Sequence, residues 1–370
     1  MNFLNRYTSV FCLIIGLLLN NSCYADDEKV LNVYNWTDYI APDTIVKFEK
    51  ETGIKVRYST YESNNELNAK LRGKKSGYDI VVPSGDWAQQ QITGGLFQKL
   101  DKSKIPNLVN LNADILAKMQ TFDAGNNYLV GWLWGYTTVG VNVDKVMKAL
   151  GKTPIPDNLW ELAFNPKYTS KLKSCGIAYL DSASDIVPPA LMYMGKPAYS
   201  KNNDDYKAVS QLLGAVRPHV KNITSDISRV SDFFDGKTCV AIGWAGDFNQ
   251  AYTLAKAKKT KINITAVMPK SGAFMFIDSM AIPVDAKHVD NAHKFINFIL
   301  RPEIHASITN ATNYANPNKA SVKYVKPELR ADQSIFLNDN DLERLHPAEG
   351  LDEQMSKVRE DAFVRFKTGH

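Results

Sequence analysis

The chain has little cysteine, little histidine and no apolar run long enough to cross a bilayer. Of its 370 residues 4 are cysteine and 6 are histidine, too few to suggest a disulfide-built scaffold or a histidine-rich metal site. His288 and His293 stand five apart, an awkward spacing for ligands on one helix face, and His370 is terminal. The GxSxG, HExxH and GxGxxG patterns are all missing. Asp235-Gly236-Lys237-Thr238 offers the Lys-Thr pair of a phosphate loop without the glycine five residues upstream. No metal and no cofactor is therefore expected. The formal net charge is only +5, whereas dedicated nucleic-acid binders carry a basic stripe, so nucleic acid is not an expected partner. The runs Lys70–Lys75 and Lys256–Lys261 read as solvated helix faces or turns.

The most apolar stretch, Val10–Leu19, is half the roughly 20 residues a membrane helix needs. Arg6 precedes it, and small and polar residues follow to Ala25. This is the layout of a signal peptide at 1–25, with a mature start near Asp26 and export to the periplasm. Lipidation at Cys23 is the rival reading, set against Asn20 where an aliphatic residue is expected. Removing the leader removes Arg6 and no acid, taking the charge from +5 to +4. It also removes Cys12 and Cys23. Cys175 and Cys239 remain, and in an exported chain a structural disulfide is favoured over free thiols. Closing that loop would contribute on the order of 4 kcal/mol in the chain-entropy model.

What is present is an ordinary globular composition, 44% hydrophobic and 22% charged, in a chain long enough for two domains. Short apolar strands alternate with amphipathic helices, an α/β pattern. The strand ends carry unusual decoration. Trp36-Thr37-Asp38-Tyr39, Ser84-Gly85-Asp86-Trp87, Asp181 to Asp185, Trp244 to Asp247 and Phe276 to Asp278 place aromatic, hydroxyl or carboxylate groups where an apolar strand gives out. In open α/β sheets ligands bind beyond such ends. A lone acid there is ordinarily an N-cap, the reading for Asp247 or Asp181 taken singly. Capping does not require an indole or phenol beside the acid, so the set reads as a site.

Carboxylates accept charge-assisted hydrogen bonds from ammonium groups, about 1.5–3 kcal/mol each. Faces of Trp and Tyr attract a cation by about 0.5–2 kcal/mol and cover an alkyl chain. The mixture selects a flexible organic cation, since burying about four methylenes adds roughly 3 kcal/mol. With carboxylates of ordinary pKa, binding should weaken only below about pH 4–5. Paired acids such as Asp247 and Asp278 also suit a glycosidase, the enzyme alternative; a receptor that signals through the same fold is a third class.

The segments YNWTDYIAPDTIVKFEKETGIKV, YDIVVPS, KLKSCG, CVAIGWAGD, IDSMAIP and NFILRPEI resemble the polyamine-binding periplasmic proteins of bacterial ABC importers, the putrescine-binding branch in particular. The likeness runs from Leu31 to the final helix. It implies a two-lobed type II solute-binding fold, each lobe a mainly parallel sheet flanked by helices, with the cleft between them. The lobes would be 26–136 with 257–310, and 137–256 with 311–370. It further implies an ABC permease partner, a monomer and no catalysis. Trp36, Tyr39, Trp244, Phe276 and Tyr314 would surround the methylene chain; Asp38, Asp247 and Asp278 would hold ammonium groups, with Thr37 and Ser84 as hydroxyl partners. Asp185 stands where the putrescine branch has glutamate, and its shorter reach calls for a bridging water. The Cys175 and Cys239 pair matches that branch too. Asp247, Phe276 and Ser182 point to putrescine, whereas Thr37 and the segment STYESN resemble the spermidine branch. Asp86 replaces a serine or a tyrosine and is either an N-cap or a ligand, which leaves spermidine, cadaverine and agmatine open. Trp132 and Trp134 are expected in the core or hinge, Trp87 and Trp160 on surface helices.

Overall fold

The computed structural model describes residues 29–224, 228–257 and 263–369. The signal peptide expected at 1–25 and most of the 256–261 basic run lie outside the described residues.

The first third follows the expected alternation. β1 (Val30–Trp36), α1 (Thr44–Thr52), β2 (Lys55–Tyr61), α2 (Asn64–Arg72), β3 (Ile80–Val81) and α3 (Gly85–Thr93) succeed one another. Gly53 ends α1 in a left-handed conformation, its N–H donating to Glu49 O, and Ser63 caps α2 by accepting from Glu66 N. Helical crossovers return each strand in the same direction, so β1 runs parallel to both β2 and β3. Phe48 of α1 packs edge-on against Phe295 and Phe298 of the helix Val289–Ile299, closing the outer layer.

β4 (Leu129–Asn142) is the joining element, buried along its whole length. Its aromatic and β-branched residues show no alternation because both faces are covered. After it come β5 (Ile177–Tyr179), β6 (Asn222–Ile223), β7 (Val240–Trp244), β8 (Ile264–Thr265), β9 (Ala273–Ala281) and β10 (Leu345–Pro347). Residues Leu129 to Tyr136 of β4 pair antiparallel with β9, and Thr137 to Val141 pair antiparallel with β7. One 10-stranded sheet results, ordered β2-β1-β3-β9-β4-β7-β5-β6, with β8 on β4 and β10 on β9. The sheet is mixed where mainly parallel sheets were expected. Its flanks are parallel, while β4 and β9, which run between the two halves, pair antiparallel.

Two expected boundaries meet different pairings. β8 lies on the far half of β4, opposite Val141 and Asn142, so residues 264–265 accompany the β7 side although they fall within 257–310. Residues 315–325 accompany the β1 side although they fall within 311–370: Ala315 bridges Trp134, Asn318 bridges Leu111, and Asn318 Nδ2 donates to Leu300 O. The chain thus passes between the halves along β4, along β9 and again after 325. Cys175 and Cys239 form a disulfide, tying the start of β7 to the segment before β5. Trp132 and Trp134 are core residues as expected. Trp160 is fully buried, its Nε1 donating to Gly272 O, so it is a core residue and no surface one.

Candidate functional site

β1 and β3 end on one side of a gap, and β5 and β7 end on the other, because each half sends its parallel strands toward the centre. Between them lies a cavity of 720 Å³ lined by all twelve residues expected to form a site. The loop after β1 reverses at Asp38, whose φ of 54° is tolerated by Asp better than by most side chains. Trp132 Nε1 donates to Tyr39 O and anchors that loop to β4. Trp36 Nε1 donates to Val82 O and its ring leans on Tyr61, 4.7 Å between centroids.

The rings form a connected wall. Tyr39 meets Tyr314 edge-on at 5.4 Å, Tyr314 meets Phe276 at 6.1 Å, and Phe276 meets Trp244 at 6.3 Å. Phe276 and Asp278 share a face of β9 because strand side chains alternate. Two glycines make the wall possible. A Cβ on Gly135 would stand 2.7 Å from Phe276, and one on Gly246 would stand 2.5 Å from Tyr314.

The acids differ in what they already hold. Asp278 accepts from Ser84 Oγ at 2.6 Å and Tyr39 OH at 2.8 Å. An ionised carboxylate has about four acceptor positions, so Asp278 keeps about two. Burial first, and then the charges of Asp185 and Asp86, push it up to about 7. Asp247, in the first turn of the helix Ala245–Ala257, accepts from Tyr314 OH at 2.6 Å. Asp185 is more fully committed: Thr137 Oγ1 at 2.6 Å, Ser182 Oγ at 2.7 Å and Trp244 Nε1 at 2.9 Å all donate to it, and burial raises its pKa. Asp38 is exposed at the mouth. The Thr37 hydroxyl donates to Glu62 at 2.7 Å.

Asp86 does not cap α3. Ser84 is the N-cap and Asp86 sits in the first turn, where it accepts from Ser184 Oγ at 2.6 Å and pairs with Arg359 at 3.4 Å. Asp181 does not cap either, since Ser182 is the N-cap of the helix that follows; it pairs with Lys367 at 2.6 Å. Trp87, expected against a surface helix, lines the cavity. Sequence reading missed Tyr61, Thr137, Arg359 and Glu360. The last two lie on the helix Glu353–Thr368, whose charged pattern looks like a solvated face. Burial raises the Glu360 pKa.

The described lining residues carry eight carboxylates, the five expected aspartates with Glu62, Asp181 and Glu360, against a single cationic side chain, Lys367. Such a surface concentrates cations. The raised Asp278 takes up its proton near neutrality, above the pH 4–5 expected of carboxylates of ordinary pKa. Among the described residues no group of three or more His, Cys, Asp or Glu could hold a metal ion, and no helix is long and apolar enough to cross a membrane.

A family model described as bacterial extracellular solute-binding protein matches residues 43–336. The chain belongs to that family. A bacterial extracellular solute-binding protein is a transport component and no enzyme, so the glycosidase alternative falls. This solute-binding protein is 42% identical over 345 residues to the putrescine-binding periplasmic protein SpuD of Pseudomonas aeruginosa, covering 93% of this chain and 94% of that one. It is 40% identical over 360 residues to the putrescine-binding periplasmic protein PotF of Escherichia coli, covering 96% and 97%. Among solved structures, a putative spermidine/putrescine ABC transporter protein from Listeria monocytogenes superimposes with a TM-score of 0.81 at 30% identity, covering 92% of this chain and all of that one. The two-lobed type II fold follows from these likenesses.

Proposed function

We propose that this protein binds a polyamine, putrescine first, and delivers it to an ABC permease in the inner membrane. The observation that carries the reading is Asp278, a buried carboxylate with acceptor positions to spare, set beside a wall of four rings in a cavity of strongly acidic lining. Relatives whose names specify putrescine support the choice of ligand. Asp278 and Asp247 receive ammonium groups, and Asp38 guards the mouth. Trp36, Tyr39, Trp244, Phe276 and Tyr314 cover the methylenes. Ser84 and Thr37 orient acids, and Asp185, with three donors already, acts through water. A leader at 1–25 exports the chain to the periplasm, where it works as a monomer. Asp247 and Tyr314 come from opposite halves, so ligand held between them favours closure of the lobes, the two halves that β4 joins.

The test is a thermal shift series on ligand-stripped protein with putrescine, cadaverine, agmatine, spermidine and, as a neutral control, 1,4-butanediol. A ligand at 100 times its Kd should stabilise by about 2.7 kcal/mol, with putrescine at the top of the series and the diol inert. A stabilising diol, or no response to any amine, would overturn the reading.

A further inference from the structure

Asp86 faces the cavity, yet its charge is already matched from behind. Its Oδ2 accepts from Ser184 Oγ at 2.6 Å and lies 3.4 Å from Arg359 Nη1. Asp86 and Arg359 are each 4% exposed and Ser184 7%, and Arg359 does not line the cavity itself. The three residues come from α3, the helix Glu353–Thr368 and the helix Ala183–Tyr193. The last two pack on each other in the β5 half, whereas α3 leads out of β3. The pair therefore spans the gap between the halves. The same seam holds Gln90 Nε2 donating to Ser356 Oγ at 2.7 Å. Gln89 also crosses Gly350 so closely that a Cβ there would stand 1.1 Å from its Oε1.

A guanidinium keeps its proton and needs a carboxylate when buried. Arg359 Nε already lacks a hydrogen-bond partner, so a ligand that took Asp86 away would leave the cation without its hydrogen-bonded carboxylate. We propose that Arg359 is a resident cation of the cleft, and that by occupying Asp86 it sets the cleft for two ammonium groups instead of three while joining the halves. This rests on the polyamine reading above. Arg359 stands in for the extra ammonium of a triamine. It is a positioning and selectivity residue and touches no ligand.

The experiment is calorimetric titration of putrescine and spermidine into ligand-stripped wild type, Arg359→Met and the double variant Asp86→Ser with Arg359→Met, each first shown to be folded by circular dichroism and thermal melting. Arg359→Met uncovers a carboxylate facing the cavity, so the spermidine-to-putrescine affinity ratio should rise by about tenfold or more. The double variant removes both charges together, the substitution least disruptive to a buried pair, and should bring the spermidine-to-putrescine ratio back to within about threefold of wild type. An unchanged ratio in folded Arg359→Met overturns the proposal. So does a loss of about tenfold for either amine in the double variant, because Asp86 would then be a ligand contact; this arm decides alone if Arg359→Met does not fold. Wild type that binds neither amine overturns the polyamine reading and this inference with it, whereas wild type that binds putrescine leaves the reading standing whatever the variants do.

Discussion

Asp278 is the residue on which the site's chemistry turns. Its hydroxyl partners hold the carboxylate in place, while burial pushes it up to about 7. Raised above the unfolded value near 3.8, this group adds stability that is full at low pH and is lost as pH climbs through about 7. Asp278→Asn keeps the shape and removes the charge. The melting temperature of ligand-free wild type relative to Asp278→Asn should therefore increase as pH falls from about 8 to about 5; a pH-independent difference would refute the shift. Diamine affinity at neutral pH should drop by about 1.5–3 kcal/mol in the variant, read by calorimetry. Tyr39 and Ser84 were legible because each follows an apolar strand, whereas Asp278, expected where a strand gives out, lies inside β9 and stood out only as a carboxylate in an apolar run. Arg359 and Glu360 were not, because a charge on a long C-terminal helix is ordinarily solvated, and only the fold brings that helix against the cleft.

The strands and helices supply the precision. Gly246, in the first turn of the helix after β7, leaves room for the Tyr314 ring that holds Asp247. Gly246→Ala should cost about 1–3 kcal/mol of stability through overpacking. It should also weaken diamine binding, since the ring must shift; unchanged affinity and melting temperature would show that the ring has slack. The disulfide should act on stability alone. It ties the start of β7, whereas Trp244 at the strand's other end meets the cavity. Replacing both cysteines by serine should lower stability by about 2–4 kcal/mol in denaturant titration and leave amine affinity within about twofold. A large affinity loss would mean that the bond shapes the cleft. The alternation of β1 to α3 was readable from periodicity and caps. The antiparallel centre was not, because a 14-residue buried strand reads as one apolar run and its two partners lie about a hundred residues or more away.

At the scale of the molecule, β4 crosses from one half to the other, and the site is shared between them. The contacts Asp247–Tyr314, Asp86–Ser184 and Trp244–Phe276 couple the halves, so ligand binding should compact the protein. Small-angle scattering should show a smaller radius of gyration with putrescine than without; an identical profile would argue for a cleft that does not close. The lobe boundaries were the least legible feature, since nothing in the composition of 257–272 or 311–325 marks which side of the sheet the chain joins. On the proposed reading, carboxylates of this cleft hold a diamine. The most direct test is calorimetric titration of putrescine into ligand-stripped protein at about pH 6, in two buffers of different ionisation enthalpy. One-to-one binding near micromolar, about −8 kcal/mol, is expected, with a proton released from Asp278 as the amine arrives. Binding with no proton release would remove Asp278 from the ammonium site, and no binding heat in either buffer would overturn the polyamine reading as a whole.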